Sequence, residues 1–224
     1  PAEADGDDPR TVSGAALPLA VHTDHVVTSV QSLLGSLEAA VPEPWATHLT
    51  LAARWHDVGK AHDVFQQTLH GGPRGDGPLL AKARATGRHH ARRGFRHEVA
   101  SALAVLAHHP DSFPVAYLVA AHHGRARLVV RARPGEPPPP DRRAFALGVW
   151  AGDVLPVADL GGGVAVPATV LDPEVFALGG TGASAGWTSR AVHLRDEHGP
   201  FRLAFFEALL RAADWRASGA EEAP

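Results

Sequence analysis

The chain has 224 residues and a mass of 23.5 kDa, which suits one domain with room for a long insertion. Cysteine is absent, which excludes disulfides, iron–sulfur clusters, thiolate zinc sites and cysteine nucleophiles. The formal net charge is only −3, and no apolar run approaches the roughly 20 residues that a transmembrane helix needs, so we expect a cytoplasmic protein with no membrane partner.

The predicted elements are mostly helices. The acidic, aperiodic residues 1–18 predict a disordered lead-in, and the absence of methionine at position 1 leads us to expect a piece of a longer protein. Apolar spacing then predicts six helices, with the approximate bounds Thr23–Leu37, Trp45–Asp57, His62–Leu69, His97–His108, Pro114–His123 and Pro200–Ala217.

Two regions interrupt these helices. Segment 71–94 is rich in glycine and arginine, which predicts a long basic loop. Segment 128–186 is rich in glycine and proline and contains short β-like pieces such as 164–170, which predicts an irregular insertion with room for a short hairpin. We therefore expect an all-α helical bundle over 19–218 that carries this insertion, followed by a tail at 219–224.

The small net charge conceals a basic middle. Segment 74–143 has 13 of the 21 Lys and Arg residues and five of the 24 acidic residues, which gives a net charge of +8. Such a segment indicates either a surface for a polyanion or a solvated arginine-rich loop. Lysine occurs only at Lys60 and Lys82, against 19 arginines, which suggests that these two positions need lysine.

The residues that can carry chemistry are histidines and acids near predicted helix ends. His56 and Asp57 close the second predicted helix and are followed by Lys60. Imidazole together with carboxylate suits borderline metals such as Fe, Mn, Co, Ni or Zn. Buried groups of this kind are costly when unpaired, and a metal cluster removes that cost, although isolated hydrogen-bonded core histidines remain the alternative. The other residues of this kind are His25, His97, Glu98, His122, His123 and Asp214.

In this order, these residues resemble the signature of the HD superfamily. More narrowly, the chain resembles the HD nuclease domain of the CRISPR-associated type I helicase-nuclease, closest in appearance to the I-U or I-G subtype. The resemblance covers about residues 20–218. The motifs that carry it are LAARWHDVGK at 51–60, GFRHE at 94–98, HHGR at 122–125 and RAADW at 211–215.

The resemblance implies two divalent metal ions. One would be held by His25, His56, Asp57 and Asp214, and the second by Asp57, as a bridge, with His97, His122 and His123. The many imidazoles favour Fe, Mn, Co or Ni over Mg, which prefers oxygen ligands. His22 lies three residues before His25 and is the open alternative for that ligand.

The resemblance also implies roles for residues around the metals. Asp57 and Lys60 are expected to be catalytic, with Lys60 contacting a substrate phosphate or the hydroxide between the metals. The expected substrate-binding residues are Lys60, Lys82, Arg96 and Arg125. Glu98 is expected to orient a ligand imidazole from behind.

The expected activity is metal-dependent degradation of single-stranded DNA in type I CRISPR interference, by phosphodiester hydrolysis at two metals. The expected partners are single-stranded DNA, a fused or separate helicase and an RNA-guided surveillance complex. Two alternatives share the same residues. One is an HD-type phosphohydrolase of small nucleotides, and the other is a non-catalytic, metal-stabilised docking module.

Overall fold

The computed structural model describes residues 15–37, 40–83, 90–124, 126–178 and 185–222. Within these ranges the protein is mainly helical, as the sequence predicts. Seven α-helices are described, namely α1 Leu19–Ser36, α2 Trp45–Trp55, α3 Asp63–His70, α4 His97–His108, α5 Phe113–Ala121, α6 Trp187–His198 and α7 Pro200–Glu222. Two 3₁₀ turns cover Val58–Ala61 and Pro173–Phe176.

In the described part of the chain, short strands pair into four two-stranded antiparallel ribbons. The pairs are β1 Leu17–Pro18 with β2 Leu80–Lys82, β3 Phe145–Ala146 with β4 Val149–Trp150, β5 Val154–Leu155 with β8 Thr169–Val170, and β6 Ala158–Asp159 with β7 Ala165–Val166. All but the first ribbon lie in the predicted insertion, whose described residues thus form three ribbons where the sequence analysis named a short hairpin.

Helix α5 forms the centre of the bundle. Every residue of α5 except Pro114 is buried, and the helix is apolar on all sides. A helix of this composition is stable only when other elements surround it. Helices α2, α4, α6 and α7 pack around it, while α1 packs against α2 and α7. The metal-ligand candidates that lie in or directly after α1, α2, α4, α5 and α7 therefore come together inside the bundle.

The chain makes a tight turn where the second predicted helix ends. Helix α2 stops at Trp55, two residues earlier than predicted, and Asp57 leads into the 3₁₀ turn. The backbone N–H of Gly59 donates to Ser101 Oγ at 2.8 Å, which fixes this turn against α4. A Cβ at Gly59 would overlap the carbonyl oxygen of His97, so only glycine permits the approach.

Several boundaries differ from the prediction. Of the predicted disordered lead-in, residues 1–14 lie outside the described residues, whereas Leu17 and Pro18 form β1. Helix α6 was not predicted, because its mostly polar sequence shows no apolar stripe. Helix α7 continues to Glu222 and includes residues that were predicted to form a tail. None of the described helices combines the length and the apolar character that crossing a bilayer requires.

Candidate metal centre

Asp57 lies at the centre of a buried group of histidines and acids. Its Oδ2 atom is 3.4 Å from Nε2 of both His22 and His56. Asp214, from α7, joins the same side, because its Oδ1 is also 3.4 Å from His22 Nε2. Lys60 Nζ lies 2.7 Å from Oδ2 of Asp57. This side of the carboxylate thus gathers residues from α1, α2, the 3₁₀ turn and α7.

The other carboxylate oxygen of Asp57 faces a second set of histidines. Oδ1 is 3.2 Å from His97 Nε2 and 3.9 Å from His122 Nε2. His123 Nε2 lies 3.1 Å from His97 Nε2, which places it beside this set. These three imidazoles come from the first residue of α4 and from the two residues that follow α5.

Two groups of side chains could therefore each hold a metal ion. The ligand atoms of His22, His56 and Asp57 lie within 4.8 Å of one another, and so do those of the second group, His97, His122 and His123. Asp57 belongs to the first group and faces the second through its other oxygen. This is the arrangement that a carboxylate bridge between two ions requires.

The hydrogen bonds behind the imidazoles fit metal ligation. Nδ1 of His56 donates to the carbonyl oxygen of Ala53 at 2.8 Å, and Nδ1 of His122 donates to that of Val119 at 2.6 Å. A carbonyl oxygen can only accept, so each Nδ1 carries its proton and each Nε2 presents a lone pair. Among the described residues, neither His56 Nε2 nor Asp57 Oδ2 has a hydrogen bond of good geometry, although Lys60 Nζ lies 2.7 Å from Oδ2. A cation between them would satisfy both atoms.

Burial and charge set the protonation of the site. Burial lowers the pKa of His122 to about 4 and also lowers the pKa of His97, so both are neutral at pH 7, the form that binds metal. For Asp57, burial raises the pKa, but the neighbouring His56 and Lys60 and a hydrogen bond from His22 outweigh this effect and keep it well below the usual range. Burial lowers the pKa of His22, but hydrogen bonds to carboxylates outweigh this effect and raise it to about 10, so His22 is protonated at pH 7 in the metal-free site. An ion bound at Nε2 would take the place of the proton that faces Asp57 and Asp214.

The structure replaces His25 with His22 at the first group. The side chain of His25 is 48% exposed, and its Nδ1 pairs with Glu221 at 2.8 Å. His22 is only 1% exposed and points at Asp57 and Asp214. The reason is helical register, since His22 lies one turn before the buried Val26, whereas His25 projects to the side of that stripe.

The two lysines have different environments. Lys60 is buried beside Asp57, within the candidate site, and its catalytic role stays a prediction. Lys82 was expected to bind substrate, but it is 1% exposed and its Nζ pairs with Glu221 Oε2 at 2.9 Å. A lysine enclosed in this way is unavailable to a strand of nucleic acid, so we assign Lys82 to the support of Glu221.

The remaining expected residues are placed as follows. Glu98 is buried and accepts a hydrogen bond from Arg127 Nη2 at 2.7 Å, while its Oε2 is 4.0 Å from His97 Nδ1. Burial raises the pKa of Glu98, but nearby His123, His97 and Arg127 outweigh this and hold it well below its usual range. Arg96 is half-buried and precedes α4. Arg125 lies outside the described residues.

Glu221 was missed by the sequence analysis, which placed it in the tail. It lies near the end of α7, and its Oε1 accepts hydrogen bonds from Nδ1 of both His22 and His25, at 2.9 and 2.8 Å. These bonds and Lys82 outweigh the effect of burial and lower the pKa of Glu221 to about 2, so it is ionised at neutral pH. A carboxylate behind a ligand imidazole fixes its tautomer and orientation.

The basic segment is less available than its charge suggests. Arg92 pairs with Asp153, and Arg143 Nε lies 3.1 Å from Asp141 Oδ1. Arg127 pairs with the buried Glu98. Together with Lys82, these are four of the 13 basic residues of segment 74–143, so internal ion pairs account for part of its excess positive charge.

Comparisons of the chain with protein-family models, with curated proteins and with solved structures found no match. The resemblance to the HD superfamily therefore rests on the motifs quoted above and stays a prediction. The geometry by itself supports a narrower statement. Two adjoining buried clusters of histidine and aspartate could each hold a metal ion.

Proposed function

We propose that this protein is a metal-dependent phosphodiester hydrolase that degrades single-stranded DNA, with the HD-type fold that its motifs suggest. The observation that carries the proposal is the position of Asp57, whose two oxygens face two separate histidine groups. Paired metals bridged by a carboxylate are suited to phosphodiester hydrolysis because both the attacking and the leaving oxygen need stabilisation.

The chain's own residues fit this chemistry. When bound, two divalent ions would activate a water molecule and neutralise charge on the phosphate. His22, His56 and Asp214 would hold one ion, and the second group of histidines would hold the other. The imidazole-rich set favours Mn, Fe, Co or Ni over Mg. Lys60 places an additional cation beside Asp57, where it can hold a phosphate oxygen.

Single-stranded DNA is the proposed substrate because segment 74–143 has a net positive charge. The same segment includes α4 and α5, which carry or immediately precede the histidines of the second group. We propose that a helicase, fused or separate, and an RNA-guided surveillance complex supply the strand in type I CRISPR interference. The ion pairs of Lys82, Arg92 and Arg127 favour a second candidate, a phosphohydrolase of small nucleotides, which needs less free positive charge.

The test uses circular single-stranded DNA, which has no ends, so its loss requires endonuclease action. The metal-stripped protein is assayed with Mn, Fe, Co, Ni, Zn or Mg in turn. Asp57→Asn is the test variant, and Asp63→Asn is the matched control, because Asp63 follows His62 in a second His-Asp pair but is exposed. A chelator lane shows that cleavage requires the added metal, and Asp57→Asn purified in the same way excludes a contaminating nuclease.

The proposal predicts cleavage with a transition metal that Asp57→Asn abolishes and Asp63→Asn retains. The proposal would be overturned if Asp57→Asn still cleaved the circle. It would also be overturned if the wild type bound metal but cleaved the circle with none of the ions. In the second case, release of phosphate from deoxynucleoside triphosphates by the same samples would support the phosphohydrolase instead.

A further inference from the structure

We propose that Arg211 and Trp215 form a nucleotide-binding subsite at the edge of the metal centre, with Arg211 binding a phosphate and Trp215 stacking on a base. The inference rests on the proposed function and specifies how the strand is held. Both residues belong to α7, the helix that carries Asp214. Both lie in the RAADW motif, but neither is among the site residues that the resemblance implies.

The first observation is the pairing of the two side chains. The guanidinium carbon of Arg211 lies 4.2 Å from the centroid of the Trp215 ring system. Residues four apart share one face of a helix, so α7 presents them together. Trp215 is 42% exposed although it directly follows the buried Asp214. A large, partly exposed aromatic side chain thus lies beside a candidate metal ligand.

The second observation ties Arg211 to the other histidine group. A Cβ at Gly124 would overlap Nη1 of Arg211, which shows that the guanidinium lies directly against this residue. Gly124 follows His123 and has a φ of +76°, a conformation that favours glycine. Arg211 therefore extends from the Asp214 side of the centre to the His123 side.

The third observation concerns hydrogen bonding. Glu207 lies one turn before Arg211, where an ion pair could form, but it accepts a hydrogen bond from the Tyr117 hydroxyl at 2.8 Å instead. Arg211 Nε is buried and has no hydrogen-bond partner among the described residues. Within the same part of the chain, no carboxylate forms an ion pair with its guanidinium.

These features suit one class of ligand. A guanidinium recognises phosphate oxygens through N–H donors in a fixed planar geometry. In Arg211 these donors are the two Nη atoms, because Nε is buried, and stacking on the Trp215 ring holds the group in place. An exposed aromatic side chain stacks on any base, so the pair would bind single strands without sequence preference. The ligand is therefore a single-stranded nucleotide segment whose backbone passes the metal centre.

The experiment measures binding without catalysis. Metal-stripped protein is titrated into a fluorescein-labelled oligothymidylate of about 15 nucleotides and into an abasic strand of equal length, with fluorescence anisotropy as the readout. The test variants are Trp215→Ala and Arg211→Ala. The matched controls are Phe201→Ala and Arg216→Ala, because both residues are exposed on the same helix and remove the same type of group.

We expect Trp215→Ala to bind the oligothymidylate about tenfold more weakly, with a smaller loss on the abasic strand, because one stacked base is lost. Arg211→Ala should weaken binding of the oligothymidylate and of the abasic strand by a similar factor. Trp215→Phe should bind the oligothymidylate with most of the wild-type affinity. Affinities within twofold of the control variants would overturn the subsite. If Arg211→Ala fails to fold, Arg211→Lys retains the charge without the planar fork and should still bind more weakly.

The results also separate this inference from the proposed function. Cleavage of circular DNA by the wild type, combined with unaltered binding by both test variants, would reject the subsite and leave the nuclease proposal intact. Selective loss of binding in the test variants, without cleavage by the wild type under any metal, would support the subsite and reject the nuclease proposal.

Discussion

Glu221 accepts a hydrogen bond from Nδ1 of His22 at 2.9 Å, although the two residues are 199 positions apart in the chain. This bond joins the first helix to the last. It also leaves Nε2 of His22 facing Asp57 and Asp214, because the imidazole is anchored through its opposite nitrogen. Lys82, paired with the same carboxylate, completes a buried support behind the first histidine group.

Replacing Glu221 should weaken the binding of one of the two metal ions. Glu221→Ala removes the acceptor behind His22, and losses of this kind amount to about 10- to 100-fold in metal affinity. Competition of Mn²⁺ or Co²⁺ with a fluorescent chelator measures the two binding constants. Glu221→Gln retains an amide oxygen as acceptor and should fall between Glu221→Ala and the wild type.

The control for this prediction is Glu222→Gln, because Glu222 is the exposed neighbour on the same helix. Glu221→Ala also leaves Lys82 without its carboxylate, so circular dichroism must show that the variant is folded. Equal affinities for both ions in Glu221→Ala and the wild type would contradict the assigned support.

The close approach of the 3₁₀ turn to α4 predicts opposite effects at two glycines. Gly59→Ala should destabilise the protein by about 1–3 kcal/mol, because its Cβ would overlap the His97 carbonyl oxygen and disturb the bond to Ser101. Gly35→Ala should be neutral or stabilise by up to about 1 kcal/mol. In the described residues, a Cβ at Gly35 would meet no heavy atom within 4 Å beyond its own stretch of helix, and alanine is favoured over glycine inside a helix such as α1.

Urea denaturation of the metal-free protein compares the two variants. A Gly59→Ala protein as stable as the Gly35→Ala protein would show that the turn does not pack as described. Because the turn carries Lys60 and adjoins Asp57, Gly59→Ala should also lower metal affinity, whereas Gly35→Ala should not.

Asp153 supplies a prediction about pH. Its carboxylate pairs with Arg92 and lies 3.3 Å from His62 Nε2. Burial raises the pKa of Asp153, but these two partners outweigh that effect and lower the pKa to about 2. A carboxyl group with a depressed folded pKa stabilises the protein above its unfolded pKa, near 3.9, and loses that contribution as pH falls through 2.

Asp153→Asn should therefore cost about 1 kcal/mol at pH 6, a modest amount because water screens this half-buried group. The difference in the free energy of unfolding should shrink between about pH 4 and 2. Urea denaturation at several pH values measures this trend. A difference that stays constant or grows on acidification would exclude the ion pairs as its source.

The sequence predicts much of the helical framework because the apolar stripes of α1, α2, α4 and α5 are clear. The same stripes would have favoured His22 over His25, since His22 lies in line with Val26 and Val30. The order of residue types in the motif names His25, but this order does not take helical register into account. Register is the physical quantity that decides which histidine enters the interior.

Other features depend on long-range contacts that local patterns do not contain. Glu221 lies in an acidic stretch whose sequence is typical of a solvated tail. It meets His22 because α1 packs against α7. The sequence around Lys82 does not indicate that its ammonium group pairs with the distant Glu221 carboxylate. Helix α6 is polar and is held by a few buried residues, among them Trp187, whose Nε1 donates to the carbonyl oxygen of Arg127 at 2.5 Å.

The central claim is that Asp57 bridges two metal ions. Electron paramagnetic resonance of the protein reconstituted with Mn²⁺ tests it most directly, because two ions that share a carboxylate are coupled by exchange. We predict two bound ions per chain and an exchange-coupled spectrum in the wild type, with the coupling lost in Asp57→Asn and retained in Asp63→Asn. A single bound ion, or two ions that give the spectrum of isolated Mn²⁺ in the wild type, would contradict the account.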